Sequence, residues 1–463
     1  MLNKKDFLKY ASTLAFPIML QNLIGTLVNV ADTVMLGYVS QTAMSASSLA
    51  NQYTFILFCL YYGMATGTSV LCAQYWGKGD KKTVEKILGL AERISLIVSL
   101  VFFVISFSMP TTIMKIFTNS PDTIAAGSEY LKVISFSFMF MGFSQVFMSA
   151  LRSVGKIMLP SVTYIVSLCV NVLCNASFIF GLFGVPQMGA TGVAIATAVS
   201  RSAELAACVV VSAFSRDVKL SLAYMFAKNQ ALYTDFIKMS LPALGNDVSW
   251  SVAFSMYSVI LGHLGTDAVA ANSIVSVVRN IGTVFCFSVA SAGSILLGSM
   301  MGKGDLEKSK LHALKTLKAT VIAGAVGGMI VLAVTPFVLE FATLNDKAMH
   351  YLKYMLFINA YYIMGAAVNS VLIAGVFRAG GDTKFGLVCD TIDMWLYAVP
   401  LGFIATFILK LPVMWVYFLL CTDEFAKWPW VIHHYRSGKW AQNITREDVF
   451  AEKAVFLSHT DIK

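Results

Sequence analysis

The chain has 463 residues, 57% hydrophobic and only 13% charged, with a mean hydropathy of +0.72 and a formal net charge of +9. Soluble domains carry about 25% charged residues, so this composition excludes an ordinary soluble globular protein and points to a membrane. The positive balance carries no nucleic-acid signal, because its placement along the apolar runs accounts for it.

Apolar runs of the roughly 20 residues needed to cross a bilayer recur from end to end. Spans are predicted near 11–37, 44–74, 88–109, 127–151, 158–182 and 188–212, then near 236–261, 268–300, 311–339, 348–376, 384–407 and 411–434. The predicted fold is all-α and integral to the membrane, with twelve transmembrane helices in two six-helix lobes. The amino-terminal lobe is expected over 1–214 and the carboxy-terminal lobe over 236–435, joined by a cytoplasmic linker at 215–235. A polar cytoplasmic tail, expected to be short and loose, follows at 436–463.

The two halves are copies. Gly77-Lys78-Gly79-Asp80 recurs as Gly302-Lys303-Gly304-Asp305, 225 residues later, and the register holds without a gap from Pro17/Pro242 through Asp80/Asp305. Each copy has an even number of spans, so both start on the same side. The repeats are then parallel, related by an axis along the membrane normal, and substrate is expected in the cleft between them. Gly-Lys-Gly-Asp lacks the Walker spacing and a preceding strand, so it reads as a turn and not a phosphate loop. No nucleotide-binding motif occurs, which argues against ATP-driven transport within this chain.

With the amino terminus inside, 27 Lys and Arg residues, Lys427 among them, fall on cytoplasmic segments and five fall outside. That asymmetry predicts a plasma-membrane protein with both termini cytoplasmic. The eight cysteines sit in apolar contexts and read as small buried hydrophobes.

Ionisable residues inside spans are costly and are candidate functional sites. Asp32 is the best of them, because Asn22, Gly25, Asn29 and Asp32 form one polar stripe on the first span. Asn171 and Asn175 lie one turn apart on span five; Thr197, Arg201 and Glu204 share a face of span six. A carboxylate, two amide oxygens and a hydroxyl converging there could coordinate Na⁺. The same carboxylate, desolvated, could instead bind and release a proton, or the group could simply hydrogen-bond its neighbours. Arg201 and Glu204 are spaced to pair on their own helix.

In the second half, Asp247 and Arg279 fall at similar depths and could neutralise each other. Asp390 and Asp393 lie early in span eleven, near the cytoplasmic interface. Asn22, Asn29, Asp247, Arg279, Asp390 and Asp393 are therefore candidates for substrate contact or charge pairing. Asp32 aligns with Tyr257 and Asp247 with Asn22, so the halves share a scaffold without sharing an ion site.

Read in order, several motifs resemble the multidrug and toxic compound extrusion (MATE) family. They are Ala31-Asp32-Thr33-Val34-Met35-Leu36-Gly37, Gln74-Tyr75-Trp76-Gly77-Lys78-Gly79-Asp80 and Leu151-Arg152-Ser153-Val154-Gly155. Asn171 with Asn175, Ile195-Ala196-Thr197, Met301-Gly302-Lys303-Gly304-Asp305 and Arg378-Ala379-Gly380-Gly381-Asp382-Thr383 complete the set. The resemblance implies export of organic cations or other toxic small molecules, coupled to H⁺ or Na⁺ entry. Asp32 matches the family's amino-lobe cation-site carboxylate, and Asn171, Asn175 and Thr197 match positions near it. Family branches with a carboxy-lobe Na⁺ site place a glutamate where this chain has Trp250, and an aspartate near Ala367, where Asn369 is the nearest polar residue. The coupling is thus expected at Asp32. The expected protein is not an enzyme and carries no cofactor, and no metal beyond Na⁺ at Asp32. Its partners would be drug-like or cationic substrates and membrane lipid, not nucleic acid, and it would act as a monomer. The alternative is a lipid-linked precursor flippase, which needs several inward-facing Arg or Lys residues to hold pyrophosphate.

Overall fold

The computed structural model describes residues 4–37, 41–214, 218–227, 229–342 and 344–446, excepting the side chains at 4–12, 29–34, 36–37, 41 and 183. In the amino-terminal half, the helices that cross are α1 (Lys4–Gly37), α2 (Gln41–Lys78), α3 (Lys81–Ser108), α5 (Pro121–Ser153), α6 (Met158–Phe180) and α7 (Gly189–Phe214). Between them sits a short helix that the sequence reading did not anticipate, α4 (Pro110–Phe117), and α8 (Leu222–Phe226) lies in the linker. The second half crosses with α9 (Gln230–His263), α10 (Thr266–Gly302) and α11 (Leu306–Phe341). It continues with α12 (Asp346–Asn369), extended by a π-helical stretch to Phe377, and with α13 (Thr383–Ile392), prolonged through α14 (Val399–Phe403) to Ile408.

The twelfth crossing is not the continuous helix expected at 411–434. It is three pieces, α15 (Val413–Leu420), α16 (Asp423–Ala426) and α17 (Trp428–Ser437). The reason is local: Asp423, Glu424 and Lys427 interrupt the apolar run, and their side chains turn inward to partners on neighbouring helices.

Each Gly-Lys-Gly-Asp phrase is a helix stop followed by a start. Gly79 and Gly304 take φ of +87° and +85°, the left-handed conformation that glycine alone adopts without penalty. Asp80 then caps α3, its carboxylate accepting from the Thr83 amide at 3.0 Å and the Thr83 hydroxyl at 2.6 Å.

Within each half the crossings pack around their own apolar core. Tyr61, Phe138 and Phe147 are buried in the first, and Leu352, Leu356 and Ile363 in the second. The outward faces of α3 and α11, with Ile97, Val101, Ile322 and Phe337 exposed, suit lipid contact. Cys169 is also exposed and Cys174 half-buried on α6, so two of the eight cysteines are not core residues as expected.

The lobes meet along a seam at the ends of α2 and α10 that carry the repeated turn. A Cβ on Gly63 would come within 2.7 Å of Leu244, and Gly67 lies against Ser240, both on α9. On the other side of the seam, Leu14 and Ile18 of α1 cluster with Ala292 and Ile295 of α10.

The start of the tail is docked, contrary to the loose segment expected from 436. Trp440 is fully buried, and the Gln74 side chain of α2 donates to the carbonyls of Ala379 (2.8 Å) and Gln442 (3.1 Å) while accepting from the Ile444 amide (2.8 Å). Arg446 forks onto Asp235 at 2.7 and 2.8 Å, and those bonds hold its guanidinium above the ordinary value.

Candidate functional site

In the amino lobe, α6 and α7 bring the predicted polar residues together. The Asn175 amide donates to Asn171 Oδ1 at 3.2 Å, and the Asn171 amide reaches the Thr197 hydroxyl at 3.5 Å. One to two turns away, Arg201 and Glu204 form the expected pair at 2.7 Å. Ser167 adds a bond to the same Glu204 oxygen at 3.4 Å, and the guanidinium sits over the Tyr164 ring at 5.9 Å. Helix α1 runs along α6 here, with Gly25 against the Tyr164 hydroxyl. Asp32 follows Gly25 by seven residues, as Asn171 follows Tyr164. The Asp32 and Asn29 side chains lie outside the described residues; Asn22, half-buried on α1, accepts from Thr26 through its carbonyl at 3.0 Å.

In the carboxy lobe the structure rearranges the expected pairs. Asp247 binds Arg378 at 3.2 Å and not Arg279. Both candidates had been placed by depth, but depth says nothing about direction around a helix. Asp247 points to Arg378 at the end of the α12 rod, while Arg279 points toward the middle of α12. Among the described residues Arg279 meets no carboxylate; its guanidinium lies over the rings of Phe254 at 5.1 Å and Tyr362 at 5.7 Å.

Asp390 and Asp393 are buried and not hydrated at an interface, because Lys427 reaches them from the broken twelfth rod. Lys427, 4% exposed, lies 3.1 Å from Asp390, 3.4 Å from Glu424 and 3.7 Å from Asp393. It is therefore not one of the cytoplasmic lysines it was counted among. Asn369 donates to Glu424 at 2.6 Å, Tyr362 to Glu424 at 3.4 Å and Tyr257 to Asp423 at 3.1 Å. The carboxy lobe thus holds four buried carboxylates around one ammonium, where the sequence reading had singled out Asp390 and Asp393 but neither Asp423, Glu424 nor Lys427. The signal was present: Asp423, Glu424 and Lys427 stand in the middle of the apolar stretch from Val413 to Val431.

In front of this cluster lies a cavity of about 310 Å³ between α9, α10, α12 and α15. Tyr257 and Tyr362 form part of its wall on one side and hydrogen-bond the acids on the other.

The MatE family model matches residues 17–177 and again 242–404, once per repeat and together well over half of the chain. The chain belongs to the MATE family of transporters. The Probable multidrug resistance protein NorM of Thermotoga maritima is 24% identical over 454 residues, covering 96% of this chain and 95% of its own. The uncharacterized transporter YisQ of Bacillus subtilis is 21% identical over 430 residues, covering 93% and 94%. Among solved structures, a multidrug resistance MATE transporter in an outward-facing conformation superposes with a TM-score of 0.83 at 19% identity, covering 93% of this chain and 96% of the other. A MOP superfamily transporter from Pyrococcus furiosus, described as having a binding pocket of reversed polarity, superposes at 0.82 with 19% identity over the same shares. This MATE transporter is an integral membrane protein.

Proposed function

We propose that the chain is a secondary antiporter that exports organic cations or other toxic small molecules against H⁺ or Na⁺ entry, by alternating access of its two lobes. The observation that carries this reading is the seam. The lobes are locked together at the ends bearing the two Gly-Lys-Gly-Asp turns, and the excess of Lys and Arg there supports reading that side as cytoplasmic. A cleft closed on the cytoplasmic side is the outward-facing member of an alternating pair. Cation binding at Asp32, beside the Asn171, Asn175 and Thr197 network, would bias one member over the other. Coupling requires such a difference, because a ligand with equal affinity for both states shifts nothing. The division into an amino lobe to residue 214, a linker at 215–235 and a carboxy lobe from 236 belongs to the same reading, as does a monomer with both termini cytoplasmic in the plasma membrane.

The flippase alternative needs several cationic side chains for a pyrophosphate, and the carboxy-lobe cavity offers one, Arg279. Dye efflux in everted vesicles tests the antiporter, with pH and Na⁺ gradients imposed separately. Wild type should extrude the dye under at least one gradient and Asp32→Asn under neither; Asp32→Asn vesicles that still pump would overturn the coupling assignment.

A further inference from the structure

We propose that the carboxy-lobe cavity is a binding site for an aromatic monoanion, a small ring compound carrying a carboxylate or similar group, held by Arg279. The inference rests on the transporter reading above and narrows its substrate class.

The cavity lining contains one charged side chain, Arg279, and no Asp, Glu, Lys or His. Its guanidinium is free of hydrogen bonds and ion pairs to the described residues and is held by the faces of Phe254 and Tyr362. A desolvated guanidinium with unused donors is costly until an acceptor arrives, and its planar fork fits a carboxylate. The nearby acids do not supply that acceptor. Asp423 takes bonds from Tyr257 and the Glu424 amide, and Glu424 from Asn369, Tyr362 and Lys427, so two tyrosines stand between the cluster and the cavity.

The remaining walls fit the rest of such a ligand. Phe254, Tyr257, Tyr362 and Tyr417 offer ring surface. Ser251, Ser255 and Ser276 now donate to carbonyls of their own helices, and a rotation of χ1 would turn each hydroxyl toward a ligand. A volume near 310 Å³ is at the small end of ligand sites, and a single Arg without Lys suits one negative charge, not a diphosphate. Access is provided between α9 and α10, where Ser255, Ser258 and Ser273 are exposed. Both helices pack on α2 further down, so this gap faces the amino lobe and the cleft.

The test is equilibrium dialysis of the purified full chain in detergent with two probes of equal shape, 1-naphthoate and 1-naphthylmethylammonium. Naphthoate should bind and the ammonium should bind at least about tenfold more weakly. Arg279→Gln should weaken naphthoate by at least about tenfold, the loss of a charge-assisted bond, while Arg279→Lys retains part of the affinity. Ser255→Phe, at the exposed mouth, should also weaken naphthoate and decides the matter if Arg279→Gln fails to fold. Equal binding of the two probes, or naphthoate binding untouched by both Arg279→Gln and Ser255→Phe, overturns the proposal. Dialysis needs no gradient, so its outcome is independent of whether Asp32→Asn abolishes driven efflux.

Discussion

Gly302 packs directly on the backbone carbonyl of Gln74, and its repeat-mate Gly77 packs on the carbonyl of Ser299. Gln74 and Ser299 are themselves mates under the 225-residue repeat, so this is one contact made twice, once from each lobe. Such a self-complementary contact is what a two-fold axis between parallel repeats produces. A methyl group at either glycine has no room. Gly302→Ala should therefore disfavour the closed seam by about 1–3 kcal/mol, the usual cost of overpacking. Spin labels at the exposed, repeat-related Lys82 and Glu307 would report it as a population at longer distance. An unchanged distance distribution in Gly302→Ala would mean that the seam closes without this contact.

The docked tail adds a second closure on the same end. Gln74 makes three hydrogen bonds to the segments around Ala379, Gln442 and Ile444, and truncating it leaves those backbone groups unpaired. Losses of about 1–3 kcal/mol are expected for such groups when buried. Gln74→Ala should release the tail and speed trypsin cleavage at Lys439 and Arg446 several-fold. Cleavage at the wild-type rate would show that Trp440 and the Arg446–Asp235 fork anchor the segment without Gln74.

Much of the fold was legible because a bilayer demands long apolar runs and marks their ends with charge. The pairing of Asn171 with Asn175 and of Arg201 with Glu204 was legible for the same kind of reason, since one helix fixes which residues share a face. Partners across helices were not. Asp247 and Arg279 stand at comparable heights, yet their directions around α9 and α10 send one to Arg378 and the other to Tyr362. Lys427 was misplaced because it was counted with the basic residues of the following tail, although it lies inside the span expected at 411–434. Only its burial among Asp390, Asp393 and Glu424 shows that the helix breaks to keep it inside.

A double-mutant cycle checks the revised pairing. Asp247 and Arg378 are partly buried and 3.2 Å apart, so their alanine variants should be non-additive in thermal unfolding, with a coupling of about 0.5–3 kcal/mol. The cycle between Asp247 and Arg279 should be additive within about 0.5 kcal/mol. The reverse pattern would restore the pair expected from depth alone.

Lys427 is the one ammonium within reach of Asp390, Asp393 and Glu424 among the described residues, so removing its charge should be far costlier than removing any single carboxylate. Breaking a buried pair from one side typically costs about 3–5 kcal/mol, because the partner charge is left uncompensated in a low dielectric. Here three partners lose it together. Lys427→Met should lower the unfolding temperature in detergent sharply. Asp390→Asn leaves Lys427 with Glu424 and Asp393, so it should lower that temperature only slightly. Adding Asp390→Asn to Lys427→Met should recover part of the loss, since it deletes one of the uncompensated charges. A Lys427→Met protein as stable as wild type would mean that the cluster already carries enough protons to need no cation.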